Sequence, residues 1–244
     1  MKRVIIVQAR NSSARLPGKV MMDLAGQPML TQQIRRLKDC QRADDIVIAT
    51  TTSSTDDPVV SVAENEDVRW FRGSETDVLS RYAGAAGESH ADIIVRVTAD
   101  CPLIDPEQTD SVIETLEAHE SECDYASNTT CRTFPRGLDT EVFFRDVLER
   151  VDRLATSRPA REHVTYFINV EQPNLFLRRS VIDAEDNSDL RWTVDMPADL
   201  LMVTRLYTEL NLNERALPYR HILNYVRQHA DIAAINAHIE QKLS

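Results

Sequence analysis

The chain reads as an α/β protein of three layers, a mostly parallel sheet with helices on both faces. Three observations point to this class. Short apolar runs recur along the first half (Val4–Val7, Ile46–Thr50, Val68–Phe71, Ile93–Val97), each too brief for a helix and each of the kind that fits a buried strand. Between them lie stretches of helical character, from Pro28 to about Lys38, Pro58 to Asn65, Val78 to Gly87 and Pro106 to about His119, several opened by a proline at the first position. The loops richest in charged and hydroxyl side chains follow strands, at the sheet edge where open α/β folds bind ligands.

With 244 residues the chain can bury a full core as one domain, 1–244. Its 28 basic and 39 acidic residues give a net charge of −11, which argues against nucleic acid or an anionic membrane as partner. No apolar run approaches the roughly 20 residues that span a bilayer. The run after Lys2-Arg3 stops at Gln8, too soon for a secretory leader, so a cytoplasmic location is expected. Cys40, Cys101, Cys123 and Cys131 form no C-x-x-C pair and have no histidine at zinc-finger spacing, so they read as reduced thiols.

The stretch Val7–Lys19, VQARNSSARLPGK, sets three cations (Arg10, Arg15, Lys19) and two hydroxyls (Ser12, Ser13) ahead of and around a Pro17-Gly18 turn. It has neither Walker A nor dinucleotide G-x-G-x-x-G spacing. Arginine forks and a compact lysine charge can nevertheless grip a polyphosphate, and a solvated basic loop is the plain alternative. Ile93–Val97 runs into Thr98-Ala99-Asp100, and an expected strand Leu190–Val194 runs into Asp195, just ahead of Pro197 and a helix to about Leu210. Asp100 and Asp195 can hold a hard divalent cation, or serve as a turn residue and a helix-start residue respectively.

From Cys123 the pattern leaves the simple α/β repeat. Strands are expected at Asp124–Asn128, Thr140–Phe144 and Leu175–Arg179, and helices at Asp146–Leu154 and Pro159–Asn169. Residues 123–179 are a candidate lid or dimerisation insert. Pro218–Ser244 reads as two amphipathic helices covering the sheet.

Together, VQARNSSARLPGK, LAGQPML, GSETDVLSRY, RVTADCPLIDP, PRGLDTEVF, REHVTYFI and RWTVDMPADL resemble the bacterial sugar-acid cytidylyltransferases, which activate Kdo and nonulosonic acids as CMP-sugars. The likeness is greatest to the spore coat polysaccharide biosynthesis protein F branch. It implies a Rossmann-like sheet of nucleotide-diphospho-sugar transferase type. By position it implies that Ala9, Arg10, Ser13, Arg15, Lys19 and Thr98 bind the nucleotide, with Arg10, Arg15, Lys19 and Asp100 catalytic. Asp100 and Asp195 match the metal-binding aspartates, and Arg136, Asp139, Glu141, Arg161 and His163 fall on the acceptor side. The Kdo enzymes carry Gln-Gly-Asp where this chain has Thr98-Ala99-Asp100, a departure at the contacts to the base.

The resemblance thus implies CTP and a sugar-acid-like acceptor as substrates, Mg²⁺ as cofactor, pyrophosphate as by-product, a role in surface polysaccharide synthesis and a homodimer. A glycosyltransferase using a nucleotide-sugar, or a non-catalytic binding protein on the same fold, remain the alternatives.

Overall fold

The computed structural model describes residues 1–13 and 15–240. In chain order, β1 (Arg3–Gln8) leads into the cationic loop, then come two-residue strands β2 (Asp23–Leu24) and β3 (Gln27–Pro28), α1 (Met29–Leu37), β4 (Asp45–Thr51), α2 (Asp57–Asn65), β5 (Arg69–Gly73), α3 (Val78–Ser89), β6 (Ile93–Thr98) and α4 (Pro106–Ala118). The second half adds β7 (Tyr125–Ser127), β8 (Glu141–Phe144), α5 (Arg145–Leu154), α6 (Arg158–Glu162), β9 (Arg178–Ser180), α7 (Pro197–Leu210), α8 (Tyr219–Gln228) and α9 (Ala230–Ala234).

One sheet of order β5-β4-β1-β6-β8-β7-β9 runs through the molecule, with β8 antiparallel to both of its neighbours and every other pairing in the sheet parallel. Strand β1 lies inside it and is apolar on both sides. Ile5 and Val7 pack with α1, α2 and α4 on one face, while Val4 and Ile6 pack with α3 and α5 on the other. Burying each such side chain contributes about 1.5–3 kcal/mol. The chain moves outward from β1 to β4 and β5, then crosses to β6 on the other side. The strand order therefore reverses beside β1, and a crevice opens past its carboxyl end. Helix starts are fixed locally: Asp77 accepts from the Ser80 amide (2.9 Å) at α3, and Asp105 accepts from the Gln108 amide (2.9 Å) ahead of Pro106 at α4.

Residues 123–179 contribute β7, β8 and β9, which widen the sheet on the β6 side and leave β9 at its edge. Within this section the expected strand Leu175–Arg179 shifts to Arg178–Ser180. Pro173 starts a 3₁₀ turn through Leu175, and the Asp124 carboxylate takes the Leu177 amide, so pairing with β7 begins one residue later. The expected helix Pro159–Asn169 is broken. It stops at Glu162, Val164 takes a positive φ of 46°, and a π-helical turn, Phe167–Glu171, follows. Thr165 turns inward there to donate to the buried Glu141 carboxylate (2.6 Å), a tertiary bond that outweighs helix continuation.

Two further expectations are corrected around a separate apolar cluster. Leu190–Val194 is not a strand of the sheet: Leu190, Trp192 and Val194 point alternately into a core with Phe134, Leu138 and α7, and pairing is limited to a single bridge between Arg136 and Arg191. Period-two burial needs an extended backbone but no neighbouring strand. Helices α8 and α9 do not cover the sheet; Tyr219, Ile222, Val226 and Ile232 close this same cluster over Met202 and Leu206 of α7. Residues 241–244 of that stretch lie outside the described residues.

Gly137 makes the close approach possible. Its φ is 108°, and a Cβ there would lie 2.6 Å from the Thr193 nitrogen. Gly137→Ala is expected to lower stability by at least about 2 kcal/mol. Gly87→Ala, in α3 with open space around it, should gain about 0.5–1 kcal/mol. Thermal unfolding followed by circular dichroism separates the two; equal melting temperatures would contradict the packing described here.

Candidate active site

The loop after β1 is pinned at both ends. The buried Asp56 accepts from the Asn11 amide (2.6 Å), and the Asn11 carbonyl accepts from the amide of Gly18 (2.9 Å), whose φ of 73° turns the chain. Leu16 drops into the cluster beneath α7, and Lys19 opens a 3₁₀ turn, Lys19–Met21. The Lys19 ammonium is thereby carried across the sheet edge. Its Nζ lies 3.1 Å from Asp100 Oδ2, 2.8 Å from Asp195 Oδ1 and 2.9 Å from the Val194 carbonyl. Arg15 reaches the same Asp195 oxygen at 2.8 Å.

Each carboxylate is set from behind. Gln33 of α1 donates to the carbonyls of Thr98 (2.8 Å) and Cys101 (3.1 Å), which fixes the loop carrying Asp100. The Thr98 hydroxyl donates to Asp100 Oδ1 at 2.5 Å. The two loops are joined through the Asp100 carbonyl, which accepts from the Val194 amide (2.8 Å) and the Thr193 hydroxyl (3.2 Å). Asp195 sits at the N-terminal, positive end of α7. Burial opposes the charge on Asp100, but Lys19 and the Thr98 hydroxyl outweigh it and hold that carboxyl below the usual range. For Lys19 burial likewise opposes the charge, and Asp100 and Asp195 together raise its pKa.

These groups stand at one wall of a cleft of about 1050 Å³ along the carboxyl edge of β1 and β6. Arg10, Ser13, Arg15, Lys19 and Thr98 line the side of the first loop, and Arg136, Asp139, Glu141 and His163 line the other. Ala9 is buried below, its amide bonded to the Ala49 carbonyl (3.1 Å). Among the described residues the Arg10 and Arg136 side chains have no hydrogen-bond or ion-pair partner, so both cations are available to an anion in the cleft. Burial and the nearby Arg132 lower the Arg136 pKa. Asp139 is taken up by a bidentate pair with Arg132 (2.6 and 2.8 Å). Glu141, nearly buried, pairs with Arg96 and accepts from Tyr125 (2.6 Å) and Thr165. Arg161 does not line the cleft; its guanidinium is engaged by Asp77 (2.6 Å) and Asp152 (2.8 Å), tying α6 to the start of α3.

The residues that hold this arrangement were not evident from motif spacing. Gln33, Arg191 and Asp199 are buried polar side chains in or beside apolar segments. Arg81, also buried, lines the cleft near Arg10 from a helix face otherwise formed by Leu79, Tyr82 and Ala85. For Asp199 one signal existed, its place three residues after the residue that caps α7, where a carboxylate reaches back to the free amides of a helix start.

The donor set suits a hard divalent cation. A single positive atom, Lys19 Nζ, already sits within 3.1 Å of both carboxylates, so a small cation can be shared between them. No cluster of three or more acidic, histidine or cysteine side chains able to hold a metal occurs among the described residues. Two carboxylates suit an ion that would complete its shell with water and phosphate oxygens, as Mg²⁺ does.

Removing the ammonium should leave two carboxylates facing each other. Lys19→Met is expected to cost about 3–5 kcal/mol near neutral pH. The Asp100 pKa is depressed in the fold, so the stabilisation it gains from Lys19 is present above about pH 4, its ordinary unfolded value, and is lost as pH falls through the lower folded value. The deficit of Lys19→Met relative to wild type should accordingly shrink below about pH 4. Urea unfolding across pH checks this, and a deficit independent of pH would contradict it.

The cytidylyltransferase family model matches residues 4–228. An uncharacterized protein of Methanocaldococcus jannaschii is 34% identical over 99% of this chain and 97% of its own length. The spore coat polysaccharide biosynthesis protein SpsF of Bacillus subtilis is 31% identical over 84% of this chain and 85% of its own. Among solved structures, a cytidylyltransferase from Leptospira borgpetersenii superposes with a TM-score of 0.91 at 29% identity, covering 100% of this chain and 99% of that one. A CMP:2-keto-3-deoxy-manno-octonic acid synthetase complexed with CTP superposes at 0.65 with 18% identity, over 86% of this chain and 99% of that one, a likeness of fold. A match over nearly the whole chain, on the fold and cleft just described, makes this protein a member of the cytidylyltransferase family.

Proposed function

We propose that the chain transfers CMP from CTP to a hydroxyl of a sugar acid or related acceptor and releases pyrophosphate, with Asp100 and Asp195 as the residues that would hold Mg²⁺. The observation that carries this reading is the meeting of Lys19, Asp100 and Asp195, from three distant parts of the sequence, at the wall of a cleft also lined by Arg10 and Arg136, whose side chains have no hydrogen-bond or ion-pair partner among the described residues. Arg10, Arg15 and Lys19 hold the triphosphate and stabilise charge that grows on the leaving pyrophosphate. When bound, the ion lowers phosphate charge and orients the attacking oxygen. Lys19, on a flexible unbranched stem, would be able to exchange its carboxylate partners for a phosphate oxygen. No covalent enzyme intermediate is required.

The CTP complex of the structural neighbour and the polysaccharide role named for SpsF support the choice of nucleotide and of a glycan acceptor. On the acceptor side Arg136 meets the carboxylate, Asp139 and Glu141 are held by Arg132 and Arg96, and His163 borders the same wall. The reading also includes a second copy of the chain against the β9 edge, where Leu175, Leu177 and Ile182 are more than half exposed. Among the described residues no helix is long and apolar enough to cross a membrane.

A thermal-shift panel of CTP, UTP, GTP and ATP, each with and without Mg²⁺, tests the nucleotide without knowledge of the acceptor. CTP at about 100 times its Kd should stabilise by about 2.7 kcal/mol, with Mg²⁺ only. Preference for another nucleotide would redirect the chemistry, and no response to any would favour a non-catalytic role. With an acceptor in hand, Lys19→Ala and Asp100→Asn should each lower kcat by about 10²–10³, read as pyrophosphate release. Near wild-type turnover in both variants would remove these residues from the mechanism.

A further inference from the structure

Asp195 is approached by a third cation besides Lys19 and Arg15. Arg191 Nη2 lies 3.3 Å from Asp195 Oδ2. The same guanidinium makes two shorter bonds elsewhere, Nε to Asp199 Oδ1 at 2.9 Å and Nη2 to Asp199 Oδ2 at 3.0 Å, a fork geometry that fixes its plane. Asp199 is fully buried and binds the backbone as well, its Oδ2 accepting from the amides of Asp195 (3.0 Å) and Met196 (2.9 Å). The buried Asn236 completes the set, its Nδ2 donating to Asp199 Oδ1 and to the Arg191 carbonyl, both at 2.9 Å. Asn236 lies beyond residue 228, where the match to the family model ends. The C-terminal segment of this chain therefore reaches the carboxylate wall of the cleft through one amide.

We propose that Asp199, steadied by Asn236, is a positioning residue that draws the Arg191 fork to itself, limits its hold on Asp195 to one longer bond of 3.3 Å, and so keeps the Asp195 carboxylate able to meet a divalent cation. The inference rests on the reading that such an ion binds between Asp100 and Asp195. Asp199 acts here in two ways. It fixes the backbone of Asp195, and it competes for Arg191, which is already in contact with Asp195 and needs only a small rotation to pair with it in full. An arginine so paired would neutralise the carboxylate that the ion requires. The acid at position 199 is thus more than a helix cap: a neutral cap would keep the helix start and weaken the competition with Asp195 for the arginine.

The test is the Mn²⁺ concentration giving half-maximal thermal stabilisation of the full chain at fixed, saturating CTP, compared among wild type, Asp199→Asn, and the double variant Asp199→Asn with Arg191→Gln. Changes behind a metal ligand commonly cost about 10–100-fold in metal affinity, and Asp199→Asn should raise the midpoint by that order. The double variant, which removes the competing cation as well, should return the midpoint toward wild type, a recovery that a purely structural role would not produce. An unshifted Asp199→Asn midpoint, or a double variant as weak as the single one, would overturn the proposal. A wild-type protein that does not respond to Mn²⁺ at all would instead overturn the metal reading beneath it. Should Asp199→Asn fail to fold, Asn236→Ala keeps both charges and loosens their clamp. It should raise the midpoint in the same direction by a smaller factor, and no rise would count against the proposal.

Discussion

Two carboxylates that repel each other, Asp100 and Asp195, are held together by the ammonium of Lys19, and much of the surrounding structure exists to make that contact. The lysine comes from the loop after β1, the first carboxylate from the end of β6, and the second from the start of α7. Bringing them together requires Asp56 and Gly18 to turn the first loop, Gln33 to hold the second, and the cluster around Trp192 to seat the third. Breaking a buried ion pair from one side costs about 3–5 kcal/mol, a large share of the 5–15 kcal/mol by which folded domains are usually stable. In the proposed function an ammonium and a hydrated divalent ion would compete for the same oxygens at this wall of the cleft.

The charge distribution supports this division of labour. The protein carries a net charge of −11, which taken alone would repel a polyphosphate. Screening confines such long-range fields to about 8–10 Å in physiological salt, so the groups inside the cleft decide what enters. There the Arg10 and Arg136 side chains line the space with no hydrogen-bond or ion-pair partner among the described residues, while Asp139 and Glu141 are paired with Arg132 and Arg96. The walls thus present positive charge to an anion and one pair of carboxylates to a cation. The triphosphate and ion of the proposed function would satisfy both.

The parallel core was legible because its strands are buried on both faces and so read as unbroken apolar runs, Val4–Val7 and Ile93–Val97 being the clearest. The residues that meet at the cleft wall were legible for a related reason. Lys19, Asp100 and Asp195 stand in polar loops directly after, or directly before, elements whose ends the sequence marks. What escaped was set by tertiary contact. Leu190–Val194 has strand periodicity and no strand partner, and the helix at 159–169 breaks because Thr165 turns toward Glu141. The resemblance puts Arg161 on the acceptor side, and Asp77 and Asp152 engage it outside the cleft. Asp199 was marked only by its place three residues after the residue that caps α7, and Asn236 left no signal, since a buried polar residue leaves no periodic trace and its partner Arg191 lies 45 residues away.

The most direct test of the exchange at Lys19 is a crystal structure of the protein grown with CTP and Mn²⁺, read by the anomalous signal of manganese. The account predicts a manganese peak bridging Asp100 and Asp195, with Lys19 Nζ moved off both carboxylates and onto a phosphate oxygen. Manganese bound away from these two residues, or bound nucleotide with Lys19 still between the carboxylates, would contradict it.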